Sequence, residues 1–141
     1  MFGDSAMKRN WELLRKILDV AEKSDGGYPL VATNGAVYSG AHFTLELPGH
    51  DFGEVCEHVL LLGDSGLAQV RELGRTYQGP AGVAIDRLTM AGHDFLSSAR
   101  DNQRWEKAMT MVKEKGGVVT VGVLSQILAA LLKQSFGINQ D

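Results

Sequence analysis

Apolar side chains recur at three- and four-residue steps from Trp11 through Leu14, Ile17 and Leu18 to Ala21, and charged residues fill the positions between. One apolar stripe opposite a charged face predicts an amphipathic helix. Asp25-Gly26-Gly27 predicts its end. A second stripe, Phe52, Val55, Cys56, Val59, Leu60 and Leu62, predicts a helix from Asp51 or Phe52 to about Ser65. Asp51 suits the N-cap, Glu54 three residues on predicts a reciprocal capping pair, and Gly66 predicts the stop. Residues 24–50 are punctuated by Pro29, Gly35, Gly40, Pro48 and Gly49. They predict an irregular insertion with a short strand at Ala36-Val37-Tyr38 and a half-buried strand from His42 to Leu47, its inner face formed by Phe43, Leu45 and Leu47.

Leu67–Arg71 and Val83–Leu88 read as strands joined by a turn-rich connection holding Gly74, Gly79 and Pro80. Leu88 to Trp105 then reads as a strand end, a helix capped by Thr89 with Phe95, Leu96 and Ala99 inward, and a break at Arg100-Asp101-Asn102. The next helix buries Trp105, Ala108, Met109 and Val112 and closes at Lys115-Gly116-Gly117. Thr120 caps the last helix, lined by Val121, Leu124, Ile127, Leu128, Leu131 and Leu132. This order predicts an α+β chain: a winged helix-turn-helix-like core with a small β-hairpin wing and two additional C-terminal helices.

At 141 residues and 44% hydrophobic composition the chain has the size and content of one globular domain, expected over residues 7–141. Residues 24–50 form its insertion and residues 101–141 its helical extension; residues 1–6 are read as a disordered or extraneous start. The lone Cys56 excludes an internal disulfide and fits a reducing, cytoplasmic compartment. No apolar run approaches the ~20 residues needed to cross a bilayer.

Charge changes the picture more than composition does. All 14 Lys and Arg lie before Ser24 or after Val70, while Asp25, Glu46, Asp51, Glu54, Glu57 and Asp64 fall between. The middle of the chain is acidic and its flanks are mildly basic.

Three blocks resemble domain-of-unknown-function family 2513, a bacterial and phage-associated family. They are Met7-Lys8-Arg9-Asn10-Trp11 through Leu18, His58-Val59-Leu60-Leu61-Leu62 through Ser65-Gly66-Leu67, and Leu88 through Leu96, continuing past Arg100, Asp101 and Trp105 to Gly116-Gly117 and the final helix. The resemblance implies a winged-helix-like fold and makes a phage or prophage accessory role the expected setting. It brings no catalytic residues, because the family has none assigned.

The chemistry-bearing residues form no familiar constellation. His42, His50, Cys56, His58 and His93, with Asp51 and Asp94, lack the ligand spacing of a metal site, so no metal or cofactor is expected. Cys56 lies on an apolar stripe, where burial raises a thiol pKa; the histidines are expected to be exposed or capping. His93 and Asp94 point about 100° apart on a helix and do not form a dyad; His93 is expected to bond a neighbouring backbone group. There is no nucleophile elbow and no phosphate-binding loop. The expectation is a non-enzymatic binding module that meets an unidentified protein or a second copy of itself. Its partner surface would be Asp51, Glu54, Glu57 and Asp64, and its dimer surface Leu124, Ile127, Leu128, Leu131 and Leu132. The alternative is a DNA-binding transcriptional regulator using Arg71, Arg75 and Arg87 in the wing, with Lys8, Arg9, Arg15 and Lys16 from the first helix. The absence of any Lys or Arg from the helix expected in the recognition position disfavours it, because carboxylates repel phosphates.

Overall fold

The computed structural model describes residues 9–24, 26–34, 38–117 and 119–136. In chain order these hold α1 (Trp11–Lys23), β1 (Leu30–Thr33), β2 (Phe43–Thr44), α2 (Phe52–Asp64), β3 (Ala68–Glu72), β4 (Arg75–Thr76), β5 (Gly79–Pro80), β6 (Gly82–Leu88), α3 (Met90–Ala99), α4 (Asn102–Glu114) and α5 (Val121–Ser135). The protein is a mixed α+β chain. It divides into two compact units, residues 1–93 and 94–141. The division falls inside α3, ahead of the expected start of the extension at residue 101.

In the first unit a four-stranded sheet has the order β2-β1-β6-β3. β6 is central and antiparallel to both neighbours, with Leu30 opposite Ile85 and Ala68 opposite Leu88. α1 packs on β6 and α2, and α2 packs on β3, β5, β6 and β1. The core between helices and sheet holds Leu13, Ile17, Leu18, Val59, Leu62 and Val83, all at or near zero exposure. Gly63 lets α2 approach β3, since a Cβ there would strike the Val70 side chain. Beyond the sheet the hairpin continues as the separate β4–β5 ladder.

Three bonds fix the start of α3. Thr89 Oγ1 accepts from Gly92 N at 3.1 Å and donates to Gly66 O at 2.6 Å. Thr89 N donates to Leu67 O at 3.0 Å. Thr89 is therefore the expected cap, and it also ties α3 to the turn after α2. That turn closes as expected: Gly66 takes φ +79°, and Leu67 N donates to Leu62 O.

Several expectations need correction. The strand at His42–Leu47 shrinks to Phe43–Thr44, held parallel to β1 by Phe43 N to Pro29 O and Leu45 N to Val31 O, both 2.8 Å. Leu45 is buried, but Phe43 is 38% exposed because its ring meets Tyr28 edge-on at 5.8 Å instead of turning inward. Of the expected strand Ala36–Tyr38, Ala36 and Val37 lie outside the described residues, as do residues 1–6, Met7, Lys8, Asp25 and Val118. In α2, Phe52 and Leu60 are only half-buried, while His58 is fully buried. The buried arc centres on Val55, Val59 and Leu62, which places His58 inside it and Leu60 on the far side.

The second unit carries α4 packed on α5. Asp101 caps α4 by accepting from Arg104 N at 2.9 Å, and Thr120 caps α5 by accepting from Val123 N at 3.0 Å. Trp105, Ala108 and Val112 on α4 are buried, as are Leu124 and Leu128 on α5.

Candidate functional site

The outer face of α2 is built from residues the apolar stripe leaves over. Glu57 and Asp64 stand about 20° apart around the helix, with Leu61 beside them and Leu60 at the edge. Both leucines and Glu57 are half-buried and Asp64 is exposed. Asp51 is exposed and caps the helix, its Oδ2 accepting from Gly53 N at 3.1 Å. Glu54 does not make the expected reciprocal cap. Its Oε1 lies 3.3 Å from His50 Nδ1, because His50 one turn earlier competes for the carboxylate. No Lys or Arg lies on α2.

The wing cations are engaged. Arg71 on β3 makes a two-pronged bond to Asp86 on β6, Nε to Oδ2 at 2.8 Å and Nη2 to Oδ1 at 2.9 Å, and its Nη2 reaches the Tyr38 hydroxyl at 3.5 Å. These bonds, Asp86 first, raise the guanidinium pKa above its ordinary value. Arg75 Nε donates to Glu72 Oε2 at 2.6 Å, and Arg87 Nη1 donates to Leu88 O at 3.1 Å. On α1, Arg15 pairs with Glu12 at 3.1 Å, Arg9 sits 5.5 Å from the Trp11 ring centre, and Lys16 is exposed. Lys8 lies outside the described residues. At the hairpin tip Tyr77 is 97% exposed, on a turn held by Thr76 Oγ1 to Gln78 N and Gly79 O, both 3.1 Å.

Sequence reasoning missed two histidine sites. His58 is fully buried, not exposed or capping: its Nε2 accepts from Asn10 N at 2.9 Å and its Nδ1 faces Glu54 O at 2.8 Å. That pair of partners assigns the neutral tautomer with the proton on Nδ1. His93 does not bond backbone. Its Nδ1 lies 3.2 Å from Glu22 Oε2 on α1. No local pattern signals this pair, since 71 residues separate its members. It lines a cleft with Tyr28, Asp86 and Arg87 whose cavity volume, about 20 Å³, admits roughly one water.

Cys56 is fully buried on α2. Burial, then the charges of Glu57, Glu72 and Asp51, pushes its thiol up to about 11 from 9.0. A thiol raised that far has about 100-fold less thiolate at pH 8. Iodoacetamide should therefore label the native protein at least about 100-fold more slowly than the urea-unfolded chain, because burial also blocks access to the sulfur, read by mass spectrometry. Equal rates would place Cys56 in contact with solvent.

Among the described residues no three His, Cys, Asp or Glu side chains gather to hold a metal ion, and no helix is long and apolar enough to cross a membrane. On α5 the expected dimer surface is divided. Leu124 and Leu128 have zero exposure and so face the interior, while Ile127, Leu131 and Leu132 are half-buried. All five share one arc of about 140° around the helix, so the two sets differ in depth of burial and not in the side they face.

A family model described as "Hypothetical protein (DUF2513)" matches residues 8–118. The chain belongs to the DUF2513 family. The match covers the first block from residue 8, the second block, the third block as far as Gly117, and the whole of the first unit from residue 8; the final helix, Val121–Ser135, lies beyond it. An uncharacterized protein of Haemophilus influenzae is similar to this DUF2513 chain, 26% identical over 128 residues that cover 91% of this chain and 98% of the relative. No solved structure matches it.

Proposed function

We propose that this DUF2513 protein is a non-enzymatic, winged-helix-like binding module that docks a protein on the outer face of α2. The observation that carries the reading is the charge of that face: Glu57 and Asp64 flank half-buried leucines, and no cation lies anywhere on the helix. Such a surface attracts a basic, partly apolar protein segment and repels a phosphate backbone. The order β1-β6-β3, with helices on the sheet and a hairpin beyond it, supports the winged-helix reading. That likeness also favours the alternative, a DNA-binding regulator using Arg71, Arg75 and Arg87. Against it, the described residues between β1 and α2 hold only β2 where a helix-turn-helix has its first helix. Arg71 and Arg75 are also tied to carboxylates.

A comparison of two probes at low salt tests the choice. A synthetic Lys/Leu amphipathic peptide is expected to shift the amide resonances of α2, and mixed-sequence duplex DNA to shift none. Glu57→Lys with Asp64→Lys should weaken peptide binding by about 10-fold. Duplex binding that falls steeply with salt, alongside a silent peptide titration, would overturn the reading.

A further inference from the structure

We infer that the partner of the α2 face is a second copy of this chain, which presents the exposed stripe of α4. The inference rests on the protein-docking reading of α2 and names its occupant. Lys107 and Met111 follow each other at a helical step of four, and Lys115 continues the step as the C-cap, so the three share one face. All three are exposed; Met111 is 38% exposed despite its apolar side chain. Glu114 borders this stripe, which stays net positive with Lys107 and Lys115 on it. From Asp94 to Phe136 the chain carries six Lys and Arg against four Asp and Glu, the opposite balance to its middle.

The two faces match in spacing as well as sign. Glu57 and Asp64 are seven residues apart, about 10.5 Å along α2, with Leu60 and Leu61 between them. Lys107 and Lys115 are eight apart, about 12 Å along α4, with Met111 midway. Laid side by side, the helices can bring a carboxylate to an ammonium at both ends and leucine to methionine at the centre. Each copy owns both faces, so the α2 face of one copy can meet the α4 stripe of another.

The test is a charge swap read by sedimentation velocity over a wide concentration range. The wild type should self-associate, and more weakly as salt rises. Glu57→Lys with Asp64→Lys, and separately Lys107→Glu with Lys115→Glu, should each weaken self-association by at least about 10-fold. All four substitutions in one chain should restore it, and circular dichroism of each variant should show native helix content. A strict monomer at every concentration overturns the inference while leaving the peptide titration of α2 to stand or fall alone. Self-association indifferent to both pairs overturns it as well.

Discussion

Gly92→Ala should destabilise the protein by about 3 kcal/mol or more, seen as a lowered urea midpoint with little change in slope. Propensity argues the other way: in an open helix position alanine is favoured over glycine by about 1 kcal/mol. Geometry decides the sign. A Cβ on Gly92 would occupy the space of the Leu67 carbonyl oxygen, and the neighbour is backbone, so no rotamer change relieves the clash. Nor can the turn retreat cheaply. Leu67 N is bonded to Leu62 O, Leu67 O accepts from Thr89 N, and Gly66 O accepts from Thr89 Oγ1. Moving α3 outward breaks these bonds; leaving it in place strains the peptide. Ala91→Ser, one position earlier on the exposed side, is the control and should change stability by less than about 0.5 kcal/mol. A Gly92→Ala protein as stable as the wild type would show that α3 does not press on this turn.

The helices were legible because their signals are local. The stripe of α1, the cap at Asp51, the stop at Gly66, the cap at Thr89 and the break at Asp101 each depend on residues within four positions of one another, and each stands where periodicity and capping rules put it. The strands β3 and β6 were legible to within one residue of each bound for the same reason. What the chain does not encode locally is who answers whom across it. Arg71 looks like a free wing cation until the register of β3 on β6 brings Asp86 alongside. His93 looks like a helix-start residue until α1 delivers Glu22. His58 looks like a polar position on a surface helix until the helix rotation turns it inward onto Asn10. The insertion failed differently: its alternating pattern was real, but an edge strand with no neighbour on one side lets Phe43 turn outward to Tyr28.

Contacts between residues far apart in sequence also tie the three separated blocks to one another. Asn10 in the first meets His58 in the second, and Gly66 and Leu67 in the second meet Thr89 in the third. The first of these links carries its own large effect. His58→Ala should cost about 3–5 kcal/mol, combining an imidazole-sized cavity with a part-buried donor left unpaired. The donor is Asn10 N, at the residue whose side chain caps α1 by accepting from Leu13 N at 3.1 Å. Losing its partner therefore loosens the start of α1 as well as the packing of α2. His58→Gln separates the two contributions, because its side-chain oxygen offers an acceptor of similar reach while giving up the ring. Thermal unfolding should rank wild type above Gln and Gln above Ala, and hydrogen exchange of the Asn10 amide should quicken most in the alanine variant. If alanine and glutamine are equally destabilised, the ring's volume alone matters and the bond to Asn10 contributes nothing. If exchange at Asn10 is fast in the wild type, α1 is not anchored through this histidine at all.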